Sequence, residues 1–262
     1  MLTDVPSTVR RALQACAGLS VLVLAFESLR LVGVLPTGSV PSSGAIVSAL
    51  KTSVNDGDML SAIGYTAVAW IFGLLVAAVI GVPVGIAVGL SRWADSVTQR
   101  TVEVLRPVPA VALVPMAIVL FGIELSMQVF LIAIACVWPL LLGSRGGVRA
   151  VDPLLLDTAR SFGLGSTAVV RKVVLPAAVP AIATALRLSA SLGVVVAVGA
   201  QLISGSPGLG NLLVQSQNAG QNDVVWAVLL VTGLFGVVIN LVLAAAERSI
   251  AGWQALATEG RR

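Results

Sequence analysis

Asp152-Pro153-Leu154-Leu155-Leu156-Asp157-Thr158-Ala159-Arg160-Ser161-Phe162-Gly163 reads as a short helix with both ends marked, in a polar loop between two strongly apolar segments. Asp152 suits the cap position, because its carboxylate can take one of the N–H groups that a first helical turn leaves without a partner. Pro153 suits that turn, where its missing N–H costs nothing. Gly163 supplies a left-handed stop. In a chain that is otherwise mostly lipid-soluble, a short capped helix on the water side needs a partner.

The flanks set the class. Of the 262 residues 57% are hydrophobic and only 11% charged, and the mean hydropathy is +1.01. A soluble domain of this length could not hide so much apolar surface, so the expected fold class is all-α and polytopic in a membrane. A crossing helix needs roughly 20 apolar residues. Six spans fit: Ala12–Leu31, Leu60–Leu90, Val108–Phe121, Met127–Gly143, Ala181–Ile203 and Val224–Ala246. The runs are continuous rather than alternating, which argues against a barrel. The second is too long for one upright crossing and is expected to lie tilted or partly outside lipid.

Basic residues set the orientation. Arg10, Arg11, Arg92, Arg100, Arg106, Arg145, Arg149, Arg160, Arg171, Lys172, Arg248, Arg261 and Arg262 fall in the N-terminal tail, the even-numbered loops and the C-terminal tail. The opposite loops offer Lys51 against Asp56, Asp58, Glu124 and Asp223. Positive charge stays inside, so both termini are expected in the cytoplasm. The net charge of +4 then belongs to topology, and no nucleic-acid partner is expected. Glu27 and Arg30 follow the first apolar run without a convincing cleavage site, so a retained helix is expected. Cys16 and Cys136 both fall within spans and are read as packing residues.

The chain carries no engine of its own. A phosphate-binding loop needs Gly-Lys-Ser/Thr, and the two lysines, Lys51 and Lys172, stand outside any such string. Without a histidine, a Ser-His-Asp triad or a His-ligated metal is excluded, so no catalytic and no metal residues are assigned. The span interiors are almost free of charge, whereas an ion-coupled carrier usually keeps ionisable groups at mid-membrane depth. Energy is expected from outside the membrane; a secondary transporter acting alone is the alternative.

Past Gly163 the chain runs through Gly165 into Ser166–Leu175, a second helical stretch expected to stop at Pro176. The order Asp157-Thr158-Ala159, then Gly163, then Val173-Val174-Leu175-Pro176 resembles the cytoplasmic signature of permease subunits of ABC importers, with Asp and Thr standing for the family's Glu and Ala. Arg106-Pro107-Val108-Pro109, followed by Pro115 and Phe121-Gly122-Ile123, is similar to the third span of the sulfonate, taurine and nitrate type. Three prolines within nine residues remove three backbone donors, and such breaks are tolerated in a membrane only beside a cavity or against other protein.

The resemblance implies a type I importer permease with a core over residues 60–248, a coupling loop over 144–180, residues 1–59 as tail, first span and external loop, and 249–262 as a cytoplasmic tail. It implies ATPase docking by Leu155, Asp157, Thr158, Ala159, Arg160, Ser161, Phe162, Gly163, Leu164 and Gly165, and an external gate at Gly208, Leu209 and Gly210. Implied partners are two ATP-binding subunits that use the ATP and magnesium, a second permease copy or a related one, an external substrate-binding protein, and the lipid of a bacterial inner membrane. No cofactor is implied for the chain itself.

Polar side chains within spans are the natural candidates for a translocation path, and Gln128, Ser189, Ser191, Gln201 and Asn240 qualify by position, as do Tyr65 and Trp138. Hydrogen bonding between helices is the plain alternative for the serines and Asn240, and a place at the membrane interface for Trp138 and Tyr65. Many family members carry Glu where Gln201 stands. Finally, Gly73, Ala77, Gly81, Gly85 and Gly89 recur every four residues, a ridge that lets another helix approach closely.

Overall fold

The computed structural model describes residues 27–29, 32 and 40–259, with side chains to residue 249. Most of the first expected span, with Cys16 and Arg30, lies outside the described residues. The helices are α1 (Ser43–Asn55), α2 (Asp58–Leu90), α3 (Arg92–Leu105), α4 (Val114–Phe121), α5 (Leu125–Arg149), α6 (Pro153–Ser161), α7 (Ser166–Val169), α8 (Leu175–Ser204), α9 (Leu209–Asn218) and α10 (Asn222–Glu259). Each of the later expected spans has a counterpart. Among the described residues, 4 helices are long and apolar enough to cross a membrane; α3 and the segment Ala110–Phe121, bent by 73° at their break, reach that length and apolarity only when taken together.

That break falls where the prolines are. The α3 helix ends at Leu105, and Pro107 and Pro109 carry the chain into a 3₁₀ turn at Ala110–Leu113 before α4 begins. Pro115 then occupies the first turn of α4, where a missing donor is harmless.

The body is α2 on α5 and α5 on α8. The glycine ridge makes the first pairing. A Cβ at Gly81 would stand 2.9 Å from the Val137 carbonyl oxygen and 3.0 Å from Leu140 Cβ; one at Gly89 would stand 2.8 Å from Val148 Cβ. Gly85 is tighter still, lying against the carbonyl of Leu141. Main chain meets main chain here, and no rotamer change could make room. The α2 helix runs unbroken through Pro83 for 33 residues.

Around this seam Ala69, Ala77, Leu131, Ile132, Cys136, Leu140, Ala190 and Ala197 form the central core. Cys136 donates from Sγ to the Ser189 carbonyl at 3.1 Å, a packing role as expected. The last helix is tied on by polar contacts: Arg187 pairs with Glu247 at 2.8 Å, and Thr184 donates to the same carboxylate.

One expectation fails. Pro176 does not stop the helix, which continues from Ser166 to Ser204. A π turn at Val170–Val174 precedes it, with the Leu175 N–H donating to the Val170 carbonyl. Widening the turn from four residues to five shifts the bonding register just where proline brings no donor and a bulky ring, and the rod survives.

Gly85→Leu is expected to weaken the α2–α5 seam by about 1–3 kcal/mol, the usual cost of overpacking. Thermal melting of the detergent-purified chain reads this directly; an unchanged midpoint would show that the seam is loose.

Candidate functional site

At the basic end of the bundle, α5 runs out through Arg145 and Arg149 into α6, the capped helix. Both caps form as the residues demand. Asp152 accepts from the Leu154 N–H at 2.8 Å. At the other end Gly163 has φ +77°. The Gly163 N–H donates to the Arg160 carbonyl (2.9 Å) and the Leu164 N–H reaches back to that of Ala159 (3.2 Å). These are the two bonds of a Schellman stop, and a residue at ease with positive φ allows them.

The helix has two faces. Leu156, Ala159 and Leu164 pack with Val148, Val151, Val169, Val174 and Ala178, which belong to the end of α5 and the start of the α7–α8 rod. The other face is open: Phe162 is 84% exposed, Leu154 70% and Leu155 44%, beside an exposed Asp157–Arg160 pair at 2.9 Å. Thr158, Ser161, Gly163 and Gly165 share that exposure. Among the residues expected to dock, Ala159 is buried and Leu164 half-buried; these two anchor the helix to the bundle. Nearby, α3 is held to α5 by Asp95, which accepts from Arg145 and pairs with Arg149 at 3.0 Å. The basic end is thereby braced on both sides of α5, and α6 projects from a fixed base.

At the opposite end the candidate gate is locked down. Leu209 is wholly buried, and its N–H donates to Thr66 Oγ1 at 3.0 Å. The Gly210 N–H donates to Gln201 Oε1 at 3.2 Å, Thr66 Oγ1 donates to the same oxygen at 3.1 Å, and Gln201 Nε2 donates to Gln128 Oε1 at 2.9 Å. One amide thus joins α2, α5, α8 and α9. Gly208, at φ +144°, lies against the Gln201 side chain, and Gly210 against the carbonyl of Val198, so neither place has room for a Cβ.

The residues suggested for a path therefore divide. Gln128 and Gln201 come together as a buried hydrogen-bonded brace, and Gln128 also lines a cavity. Ser189 donates to the Cys136 carbonyl and Ser191 to that of Arg187 within its own helix. Asn240 stands on the exposed face of α10. Thr66 was not legible from sequence: a threonine in an apolar helix ordinarily bonds back to its own turn, and here the Ala62 carbonyl at 3.0 Å shares the one hydroxyl proton with Gln201. Open space lies beside the brace, in a cavity of about 560 Å³ lined by Tyr65 and Gln128 among others, and at further places. A cavity of about 540 Å³ sits beside the proline break, lined by Pro107, Pro109, Trp138, Leu192 and Val196 among others, which meets the expectation that such a break borders a cavity. A second, of about 490 Å³, adjoins it towards the basic end and shares Arg106 and Pro107.

Residues 81–252 match the model of the family described as binding-protein-dependent transport system inner membrane component. The chain is 34% identical to the taurine transport system permease protein TauC of Escherichia coli over 69% of its length and 66% of that protein's. It is 29% identical over 88% of both chains to a protein of the same organism named for aliphatic sulfonates transport, SsuC. An inward-facing structure of the MetNI methionine ABC transporter superposes with a TM-score of 0.65 at 22% identity, covering 74% of this chain and 96% of that one. The likeness to MetNI is one of fold.

Gln201→Leu is expected to leave the buried Gly210 N–H without an acceptor, at about 1–3 kcal/mol. Amide hydrogen exchange over Leu209–Asn218 should speed up by roughly tenfold or more. Exchange as slow as in the unaltered chain would remove the brace.

Proposed function

We propose a mechanism and a cargo class from one premise: the chain belongs to the family of binding-protein-dependent transport system inner membrane components and is the membrane-spanning permease subunit of an ABC importer. A lone ion-coupled carrier is not favoured, since the relatives are ABC permeases.

The basic end faces the cytoplasm, so that α6 projects towards a separate ATPase subunit. The observation that carries this is the open apolar face of α6, with Leu154, Leu155 and Phe162 exposed in a helix otherwise capped and anchored. Water-side apolar clusters of this kind mark protein contacts. The face fits a groove on the ATPase, with Asp157, Thr158, Arg160 and Ser161 at its rim. One chain offers one such helix, and a nucleotide-driven dimer of ATPases needs two, which supports pairing with a second permease.

Motion then passes along stiff elements. ATP binding closes the ATPase pair and carries α6 with it. Through the contacts of Ala159 and Leu164, the displacement reaches the end of α5 and the continuous Ser166–Ser204 rod. That rod holds Gln201 at its far end, against the gate. Pull at one end and release at the other is how the path would open to each side in turn. No bond in the cargo changes, so the subunit's part is positional; ATP and magnesium belong to the partner.

The cargo is a small solute of the sulfonate, taurine or nitrate kind, handed over by an external binding protein. The names of the relatives support this class.

Reconstitution with an ATPase and a receptor tests the reading. Phe162→Asp places a charge at the contact and is expected to weaken ATPase co-purification by roughly tenfold or more, with insertion unchanged. Gly163→Val strains the Schellman stop by about 1–2 kcal/mol, and is expected to lower receptor-stimulated ATP hydrolysis. Full co-purification and full stimulation in both variants would contradict the docking assignment.

A further inference from the structure

The two cavities beside the proline break meet at Arg106. The larger lies at mid-span height, since Ile134 and Trp138 are central in α5 and Leu192 and Val196 central in α8. Its lining includes one charged residue, Arg106, and one other residue with a polar side-chain group, Trp138; the remainder is apolar. The smaller cavity, nearer the basic end, has more polar residues in its lining, with Gln99, Glu103, Arg106 and Arg145 among them. Arg106 lines both.

Its charge is also unspoken for. Arg145 and Arg149 pair with Asp95, Arg160 with Asp157 and Arg187 with Glu247. Among the described residues Arg106 has no such partner, and neither have Arg92, Arg100, Arg171 and Lys172; of these, Arg106 is the one that lines both cavities. Glu103, one turn earlier on α3, instead accepts from Gln99 at 3.2 Å. Arg106 is exposed, so its cation keeps contact with water while it stands where the two cavities meet. A guanidinium presents a planar fork of donors that matches a sulfonate, nitrate or phosphate oxygen pair, and its fixed charge repels cations. The indole N–H adds a donor suited to the same oxygens. The prolines add to the case: α3 ends just before Pro107 and Pro109, so that Arg106 comes at the cavity junction rather than on a continuous helix face.

The geometry points to Arg106 as the specificity-determining counter-ion for the cargo, holding a small oxyanion at the step where it leaves the mid-membrane chamber for the cytoplasmic vestibule. This rests on the importer reading and deepens it, since it fixes the charge of what crosses. A lipid phosphate could offer the same oxygens, so the test separates the two sources.

The permease is reconstituted with its ATPase and receptor in proteoliposomes, and uptake of ethanesulfonate, taurine and nitrate is measured per assembled complex. Arg106→Gln is expected to lower uptake of the transported anion roughly tenfold to a hundredfold, the loss of one charge-assisted hydrogen bond. Arg106→Lys should restore most of it. Co-purification with the ATPase should persist in both, because Arg106 is no part of α6. Arg100→Gln, a change on the same helix outside both cavities, should transport normally. Unchanged uptake per complex in Arg106→Gln, with fewer complexes inserted, would assign Arg106 to lipid phosphate and overturn the proposal alone. An unaltered complex with receptor-stimulated ATPase activity that carries none of the three oxyanion-bearing solutes would overturn the cargo class and the proposal together, while one with no stimulation at all would overturn the importer reading beneath them.

Discussion

Hydrocarbon gives a polar group no water to bond with, so every amide in the spanning part of this chain must find its partner inside the protein. That constraint explains why the body is helical. It also explains why α2 and α5 meet along glycines: lipid tails are as apolar as any side chain, so burial offers little drive for helices to associate, and close contact of backbones has to supply it. The same pressure makes the Gln201 amide consequential. A single buried side chain satisfies Thr66, Gln128 and the Gly210 N–H at once, and the short α9 helix is held against the bundle by that shared need.

The constraint is relaxed at two places. At the proline break the helix is interrupted and a cavity opens beside it. Past Arg149 the backbone leaves the bundle, and α6 shows leucine and phenylalanine to water, a cost that a covering partner would remove. Between these places runs the Ser166–Ser204 rod, which links the anchored face of α6 to the Gln201 brace. The π turn near its start is where its bonding pattern changes, and it lies soon after α6.

Hydropathy places the later spans correctly, because a run of apolar residues in lipid has one stable fold. Asp152 and Gly163 announce the limits of α6, since capping is a local matter of one side chain or one dihedral angle. The ridge from Gly73 to Gly89 announces a helix contact, though not which helix fills it. What the sequence hides are features that depend on distant partners. By a local rule Pro176 reads as a stop, whereas the widened turn before it answers to the whole rod. Ala159 reads as part of a docking motif, but the direction it faces depends on Val148 and Ala178, which two other helices bring to it. Thr66 and Gln201 stand 135 residues apart, and no spacing rule joins them.

The central claim is that α6 is a cytoplasmic lever covered by a separate ATPase. Labelling of a Phe162→Cys variant, with Cys16 and Cys136 replaced by alanine, by a membrane-impermeant maleimide tests it most directly. The account predicts labelling in inverted vesicles stripped of the ATPase, protection when the ATPase is added back, and none in intact cells. Labelling from the outer side, or labelling that the ATPase leaves unchanged, would contradict it.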